Sequence, residues 1–239
     1  MQLADPEGFK KSEEAVSGAS VQIAELPFTN VLAHLQRTGV TVPQLHYYDR
    51  EAGLLYLEDF GDLTLAEACR DADRARLVSL YRQAIDQLVL LQVKGTQPPA
   101  PGCIAFHRGF DVPLLMWEFD HFLEYGIVAR LGQPMKPADD KAVRAEFQRI
   151  AELLAAQPQV FVHRDYHSRN LMVDGSRIGV IDFQDALMGP ATYDLASLLK
   201  DAYIELDDAV VDGLVDHFLD GLAAQGQGWA ERAAWRAPG

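Results

Sequence analysis

The chain has 239 residues, of which 49% are hydrophobic, 23% charged and 9% aromatic, a balance typical of globular proteins. Collagen-like, low-complexity and wholly disordered classes are therefore excluded. Asp and Glu number 35 against 21 Lys and Arg, so the formal net charge is −14, and the basic residues form no stripe that could follow a phosphate backbone. This charge pattern argues against nucleic acid as the principal partner.

The chain carries two cysteines, Cys69 and Cys103, and neither lies in a CxxC spacing or near a histidine cluster. They indicate neither a disulfide framework nor a zinc site, and they fit a reducing compartment. No apolar run approaches the roughly 18 residues that a membrane span needs. The N-terminal sequence has no basic region followed by an apolar one. We therefore expect a cytoplasmic protein with no membrane partner.

The first elements of the chain are expected to be a short helix and a β-hairpin. Apolar residues fall at helical spacing over residues 29–37, and Gly39 supplies a stop signal. Short apolar runs at residues 44–49 and 54–58 flank a turn-like segment. This pattern predicts a hairpin that leads into the loop of residues 59–62.

Most of the remaining chain has helical periodicity. Five amphipathic stretches predict helices over approximately residues 77–91, 114–122, 139–154, 193–203 and 208–224. Three short apolar runs, at residues 160–162, 171–173 and 178–181, interrupt this pattern and predict strands. The chain is thus expected to begin with a few strands and to continue as a helical body with a small hairpin in its middle.

The hairpin in the helical body brings two oxygen-bearing side chains together. The pair Asp174-Gly175 between two apolar runs is a strong hairpin signal. Asn170 stands at the entry of the first strand, and Asp182 stands at the exit of the second. A two-residue loop would pair Asn170 with Gly179 and a four-residue loop would pair it with Ile181, so either register brings both side chains to one hairpin mouth. Such a mouth is a place to hold a hard cation.

A polar loop, residues 163–170, precedes this hairpin and lies between two apolar strands, where burial would penalise unpaired charge. Asp165 precedes Asn170 by five positions. This is the spacing of catalytic loops in which Asp takes the proton of an attacking hydroxyl and Asn binds Mg²⁺. Asp182, in the pair Asp182-Phe183, would supply the second metal ligand.

Three motifs in order carry a resemblance to a known family. HRDYHSRN, IDFQDA and TYDLASLL resemble the aminoglycoside phosphotransferase and choline kinase superfamily, relatives of the protein kinases. Within it, VHRDYHSRNLMV and YLEDFGDLTL are most similar to the anomeric kinases of N-acetylmuramate and N-acetylglucosamine, and the similarity covers about residues 43–203. The resemblance implies an α+β, protein-kinase-like two-lobed phosphotransferase fold, with residues 1–61 as an incomplete N-lobe and residues 62–239 as a mostly helical C-lobe.

The resemblance also implies roles for the residues of the polar loop and the hairpin mouth. Asp165 would orient and deprotonate the acceptor hydroxyl, and Asn170 and Asp182 would bind the Mg²⁺ ions that bridge the ATP phosphates. His163 would brace the loop, and Asp194 would tie the following helix to the loop backbone. These last two roles are structural.

Further binding residues follow from the same resemblance. Glu118, on a predicted helix, would face the acceptor, with a solvated helix face as the alternative. His167 and Arg169 project from the polar loop and could meet a phosphate or the acceptor sugar, while a salt bridge to a neighbouring carboxylate is equally open. The segment that would link the lobes and hydrogen-bond adenine through its backbone comprises Glu58, Asp59 and Phe60.

The sequence departs from the family pattern in its nucleotide lid. It contains no GxGxxG motif, and residues 1–4 would be the remnant of the third strand, without its usual Lys. Phe28 stands near the position of the Glu that pairs with this Lys, and Gln184 replaces the Gly of the protein-kinase Asp-Phe-Gly motif. Either the sequence begins inside a longer enzyme, or it is a short relative with a weakened lid.

The sequence thus predicts ATP- and Mg²⁺-dependent transfer of a phosphoryl group to a hydroxyl of a small-molecule substrate, an amino sugar. One alternative is the same reaction on an aminoglycoside or a choline-like cation, which the net charge of −14 permits. Another is a kinase-shaped binding module without activity. A substrate panel separates the first alternative from the prediction, and thermal stabilisation by Mg·ATP separates the second.

Overall fold

The computed structural model describes residues 25–227 of the chain. The helices are α1 (Pro27–Leu35), α2 (Leu65–Arg70), α3 (Arg74–Thr96), α4 (Val112–His121), α5 (Ala129–Leu131), α6 (Pro137–Ala155), α7 (Tyr193–Leu199) and α8 (Asp208–Ala224). The strands are β1 (Leu45–Asp49), β2 (Leu54–Leu57), β3 (Gln159–Val162), β4 (Leu171–Asp174), β5 (Arg177–Val180) and β6 (Leu187–Pro190). A 3₁₀ turn, Ile104–His107, precedes α4, and a π-helical segment, Phe122–Val128, joins α4 to α5. The strand expected at residues 1–4 lies outside the described residues.

Within the described residues the predicted elements occur in the expected order, together with several that were not predicted, among them α2 and β6. The short helix α2 begins at a capping box in which the Thr64 side chain accepts from the Glu67 N–H, and the Glu67 carboxylate accepts from the Thr64 N–H. Strand β6 pairs antiparallel with β3. The predicted helix over residues 193–203 ends earlier, at Leu199. None of the described helices is long and apolar enough to cross a membrane.

The strands form three separate two-stranded antiparallel sheets within residues 25–227. In the β4–β5 hairpin, Leu171 faces Val180 and Asp174 faces Arg177, so the turn consists of residues 175–176. Of the two expected registers, the one that places Asn170 opposite Ile181 is therefore found. The Ile181 N–H donates to the Asn170 carbonyl at 3.1 Å, as expected for that register. The turn has two residues rather than four because Asp174 and Arg177 also pair.

Helix α3 forms the centre of the larger hydrophobic core. One stripe of its side chains is fully buried and includes Leu80, Tyr81, Ala84, Ile85 and Leu88. The helix packs against α8 and β3, and Gly221 of α8 allows the close approach, because a Cβ there would lie 3.0 Å from Val89. Each large aliphatic side chain buried in this way contributes about 1.5–3 kcal/mol. A smaller apolar cluster lies under α4 and α6.

The β4–β5 hairpin packs against the segment that follows β2. A Cβ on Gly179 would lie 2.4 Å from a ring carbon of Phe60, so only glycine allows the ring to lie flat against β5. The Val173 N–H also donates to the Leu63 carbonyl at 2.8 Å. These contacts join the segment after β2 to the β4–β5 hairpin.

The polar loop, residues 163–170, is held by groups from elsewhere in the chain. The buried Asp194 carboxylate of α7 accepts from the backbone N–H groups of His163 at 2.7 Å and Arg164 at 3.1 Å. Arg164 has a φ of 81°, a region that side-chain-bearing residues rarely adopt. The Tyr166 hydroxyl donates to the Ala84 carbonyl of α3 at 2.7 Å. Helices α7 and α3 therefore set the path of the loop.

Burial changes the pKa of two groups in this arrangement in opposite directions. Burial raises the pKa of Asp194 to about 7, although the two N–H donors favour the ionised carboxylate. Burial lowers the pKa of His163 to about 4, so its imidazole is neutral at pH 7. The His163 Nε2–H donates to the Ile181 carbonyl at 2.9 Å, which joins the start of the loop to the end of β5.

We expect Gly179→Ala to lower the free energy of unfolding by about 1–3 kcal/mol, because the added methyl group must displace the Phe60 ring or the strand. Urea denaturation measures the difference. The matched control is Gly213→Ala in α8, where an added methyl group meets no atom within 4 Å. That control should be neutral or up to about 1 kcal/mol more stable than the wild-type chain. Equal stabilities of the two variants would contradict the packing of Phe60 on Gly179.

We expect Asp194→Asn to lower the free energy of unfolding by about 1–3 kcal/mol, since the amide offers one acceptor oxygen to two buried N–H groups. The difference in the free energy of unfolding between the wild-type chain and Asp194→Asn should be largest near pH 4 and should shrink toward pH 7. A raised pKa in the folded state gives stability that is full below the ordinary value of 3.8 and is lost as the pH rises to about 7. Chemical denaturation over this range measures it.

The lowered pKa of His163 acts in the opposite sense, because its contribution to the free energy of unfolding is present above pH 6.5 and is lost as the pH falls to about 4. Both chains in the comparison keep His163, so their difference at each pH isolates Asp194. Asp212→Asn, at an exposed position on α8, serves as the control. A difference between wild type and Asp194→Asn that does not change with pH would contradict the titration of Asp194.

Candidate functional site

The polar loop and the hairpin mouth together place the three predicted catalytic and metal-binding residues side by side. The Asn170 Nδ2 donates to the Asp165 carbonyl at 3.0 Å and lies 3.4 Å from Asp182 Oδ2. Within the loop, the His167 N–H donates to the Asp165 carbonyl and the Asn170 N–H donates to the His167 carbonyl. These two turns bring Asn170 back beside Asp165, so positions 165, 170 and 182 meet at one place.

Asp165 and Asp182 are both exposed at this place. Asp182 has a φ of 64°, in the left-handed region that few residues other than Gly, Asn and Asp adopt. The next residue, Phe183, is fully buried, and its ring stacks on Phe28 of α1 with centroids 5.0 Å apart. The unusual backbone at Asp182 therefore separates a carboxylate directed to solvent from an aromatic ring in the core. Strained backbone of this kind is typical of functional positions.

Gln184 makes a contact that is not evident from the sequence. Its Nε2 donates to Asp182 Oδ1 at 2.8 Å, while the Asn170 amide approaches the other carboxylate oxygen. Both oxygens of Asp182 therefore receive N–H donors. The sequence signal was the Gln in place of a Gly after Asp-Phe, but only the folded chain shows what the amide binds.

The donor set at the hairpin mouth fits a hard cation. The Asp182 carboxylate and the Asn170 amide are oxygen ligands of the type that Mg²⁺ takes. Within residues 25–227, no group of three or more His, Cys, Asp or Glu side chains is placed to hold a metal ion. A site with one carboxylate and one amide suits Mg²⁺, which usually keeps several waters and binds substrate phosphates rather than a cage of protein ligands.

Glu118 and Arg164 form an ion pair beside the loop. The Arg164 guanidinium lies 2.8 Å from a Glu118 carboxylate oxygen, which joins α4 to the start of the polar loop. The guanidinium carbon also lies 5.7 Å from the centroid of the Phe110 ring. The predicted acceptor-facing carboxylate is thus next to the loop, and its charge is balanced by Arg164.

His167 and Arg169 both pack on Tyr203, in the segment after α7. The His167 ring lies edge-on to Tyr203 at 5.5 Å, and its Nε2 is 3.5 Å from the Asn170 Nδ2. The Arg169 guanidinium carbon lies 3.8 Å from the centroid of the Tyr203 ring. No ion pair joins Arg169 to a carboxylate of the described part of the chain. Asp201 sets this arrangement, since its carboxylate accepts from the backbone N–H groups of Ser168 and Tyr203.

The side chains of the predicted nucleotide segment are held by local contacts. The Glu58 Oε2 accepts from the Gln44 N–H at 3.2 Å, and the Asp59 Oδ1 accepts from the Gly61 N–H at 2.8 Å. Phe60 is buried against β5. Because these side chains have intramolecular partners, the arrangement is compatible with adenine recognition by backbone groups.

Comparison with curated proteins finds similar kinases that are longer than this chain. The N-acetylmuramate/N-acetylglucosamine kinase of Pseudomonas putida is 37% identical over 203 residues, which cover 83% of this chain and 56% of that protein. The kinase of the same name from Neisseria meningitidis serogroup B is 34% identical over 188 residues, covering 78% and 54%. The chain thus spans about half the length of the curated relatives that it matches.

Solved structures of choline and aminoglycoside kinases are similar to the fold. The choline kinase LicA from Streptococcus pneumoniae matches with a TM-score of 0.55 and 17% identity over 84% of this chain and 63% of that chain. An aminoglycoside-3'-phosphotransferase of type VIII matches with a TM-score of 0.57 and 16% identity over 83% and 73%. These likenesses confirm the predicted α+β, protein-kinase-like phosphotransferase fold. The sequence model of the phosphotransferase enzyme family APH matches residues 17–235, and the chain therefore belongs to this family.

Proposed function

We propose that the chain acts as an ATP- and Mg²⁺-dependent kinase that transfers the γ-phosphoryl group to a hydroxyl of an amino sugar. The observation that carries this proposal is the convergence of Asp165, Asn170 and Asp182 at the hairpin mouth, where Asn170 contacts both of the others. The names of the curated relatives supply the class of acceptor, with N-acetylmuramate and N-acetylglucosamine as the first candidates.

Asp165, which is exposed, would accept a hydrogen bond from the acceptor hydroxyl and take its proton during transfer. Asn170 and Asp182 would hold Mg²⁺, which would neutralise negative charge on the ATP phosphates. Gln184 would keep one Asp182 oxygen in place. In phosphoryl transfer, positioning and electrostatic stabilisation supply most of the catalysis, so the rigidity of the loop matters as much as its chemistry.

The proposal extends to the nucleotide site, the two lobes and the place in the cell where the protein would act. Residues 58–60 would contact adenine through backbone groups, and residues 1–61 and 62–239 would act as the two lobes. The substrate would be a small molecule, and the protein would work in the cytoplasm without a nucleic acid or membrane partner. The support for this setting is the net charge of −14 and the ordinary globular composition.

We expect the chain to release ADP from Mg·ATP in the presence of N-acetylmuramate or N-acetylglucosamine, and we expect Asp165→Asn to lower kcat by about 10²–10⁴-fold, because the amide cannot accept the proton. A coupled ADP assay measures both. Asp212→Asn on α8 is the control for the loss of one carboxylate. Turnover by Asp165→Asn at the wild-type rate would contradict the proposed base. Turnover only with an aminoglycoside or choline would assign the acceptor to that class instead.

We also expect Mg·ATP to raise the Tm of the chain, because a ligand that binds only the folded state stabilises it by about 2.7 kcal/mol at 100 times its Kd. Asp182→Asn should remove most of this shift, and Asp212→Asn should keep it. Differential scanning fluorimetry with and without EDTA provides the measurement. If the wild-type chain shows no shift with Mg·ATP, the nucleotide site is not functional and the binding-module alternative is favoured.

A further inference from the structure

An open cavity of about 830 Å³ lies beside the polar loop, on the side of α2. Its wall is formed by α2, by Arg169 of the loop and by the segment that follows α7. The polar and aromatic residues among its lining are Thr64, Glu67, Arg70, Arg169, Tyr203 and Glu205. The proposed base, metal-binding and adenine-binding residues do not line this cavity.

Arg169 is the cation of this wall that is best prepared to bind a ligand. Its guanidinium stacks on the Tyr203 ring at 3.8 Å, which limits its motion, and no ion pair occupies it among residues 25–227. Glu67 on the facing helix has its own role, because its carboxylate accepts from the Thr64 N–H and hydroxyl. These two bonds, more than the charge of Arg169, lower the pKa of Glu67. The edge of the guanidinium is therefore available for an external acceptor.

The cavity is one side chain away from the hairpin mouth. Tyr203, which supports Arg169, also contacts the His167 ring, and the His167 Nε2 is 3.5 Å from the amide of Asn170. Arg169 is four residues after Asp165 in the same loop, so their Cα atoms are at most about 14 Å apart even in an extended chain. The polar loop therefore connects Asp165 directly to the cavity wall at Arg169.

We propose that Arg169, supported by Tyr203, binds a carboxylate carried by the acceptor and thereby favours an acidic amino sugar over a neutral one. This inference rests on the proposed function. A planar guanidinium binds a carboxylate through two parallel hydrogen bonds, which neither a hydroxyl nor an acetamido group can match. N-acetylmuramate has such a carboxylate on its lactyl ether, and N-acetylglucosamine has none. On the same wall Glu67 and Glu205 would oppose an acidic ligand and Arg70 would attract one, so only replacement of Arg169 itself isolates its effect.

The test measures binding of each sugar to the whole chain by titration calorimetry or by ligand-observed NMR. We expect the wild-type chain to bind N-acetylmuramate about tenfold more tightly than N-acetylglucosamine, since a hydrogen bond to a charged group is among the stronger polar contacts. Arg169→Met should abolish this preference and change the affinity for N-acetylglucosamine little. Arg169→Lys should restore part of it, because the charge returns without the paired donors.

The control Arg82→Met removes one exposed positive charge from α3 and should leave the preference intact. Glu205→Gln should leave it intact or increase it. A preference that survives in Arg169→Met overturns the inference, as do equal or undetectable affinities of the wild-type chain for the two sugars. The proposed function fails separately, if a chain that shows the preference transfers phosphate from ATP to neither sugar.

Discussion

The buried carboxylate of Asp194 holds the start of the polar loop through hydrogen bonds from the backbone N–H groups of His163 and Arg164. If either N–H group lost its acceptor, the free energy of unfolding would fall by about 1–3 kcal/mol. Arg164 adopts a φ of 81°, which the chain does not favour on its own. Helix α7, although it comes later in the sequence, therefore fixes where Asp165 lies. The position of the proposed base is a property of the packed core and not of the loop alone.

At the hairpin mouth, too, buried residues hold the backbone while the polar side chain of Asp182 is exposed. Phe183 is anchored in the core by its contact with Phe28, and the neighbouring Asp182 is directed to solvent. His163 connects the loop to Ile181 at the end of β5, and burial keeps it neutral. The oxygens of the proposed site are thus carried by a backbone that is constrained from both sides, which would limit the reorganisation needed when a substrate or an ion binds.

Several features were predictable because they depend on local sequence alone. Helix α8 has the predicted bounds, since its apolar stripe and its N-cap at Asp207 are both readable in the sequence. The hairpin was predictable in outline, but the sequence left two registers open and the structure has the one that places Asn170 opposite Ile181. Helix α2 is too short to show a periodicity, and β6 contains Gly189 and Pro190 with no alternating pattern, so its pairing with β3 is a long-range event. Gln184 illustrates the same limit, because its partner depends on the backbone path at Asp182.

By itself, the sequence determined the family resemblance, the helical body and the set of residues 165, 170 and 182, because motif spacing and apolar periodicity are local properties of the chain. Only the tertiary structure decided that Glu118 is paired with Arg164 and that Arg169 rests on Tyr203 beside a cavity. These contacts join segments that are far apart in sequence. Which side chains meet depends on how the helices pack and on the need of a partly buried charge for an opposite charge nearby. Spacing along the chain carries no information about such choices.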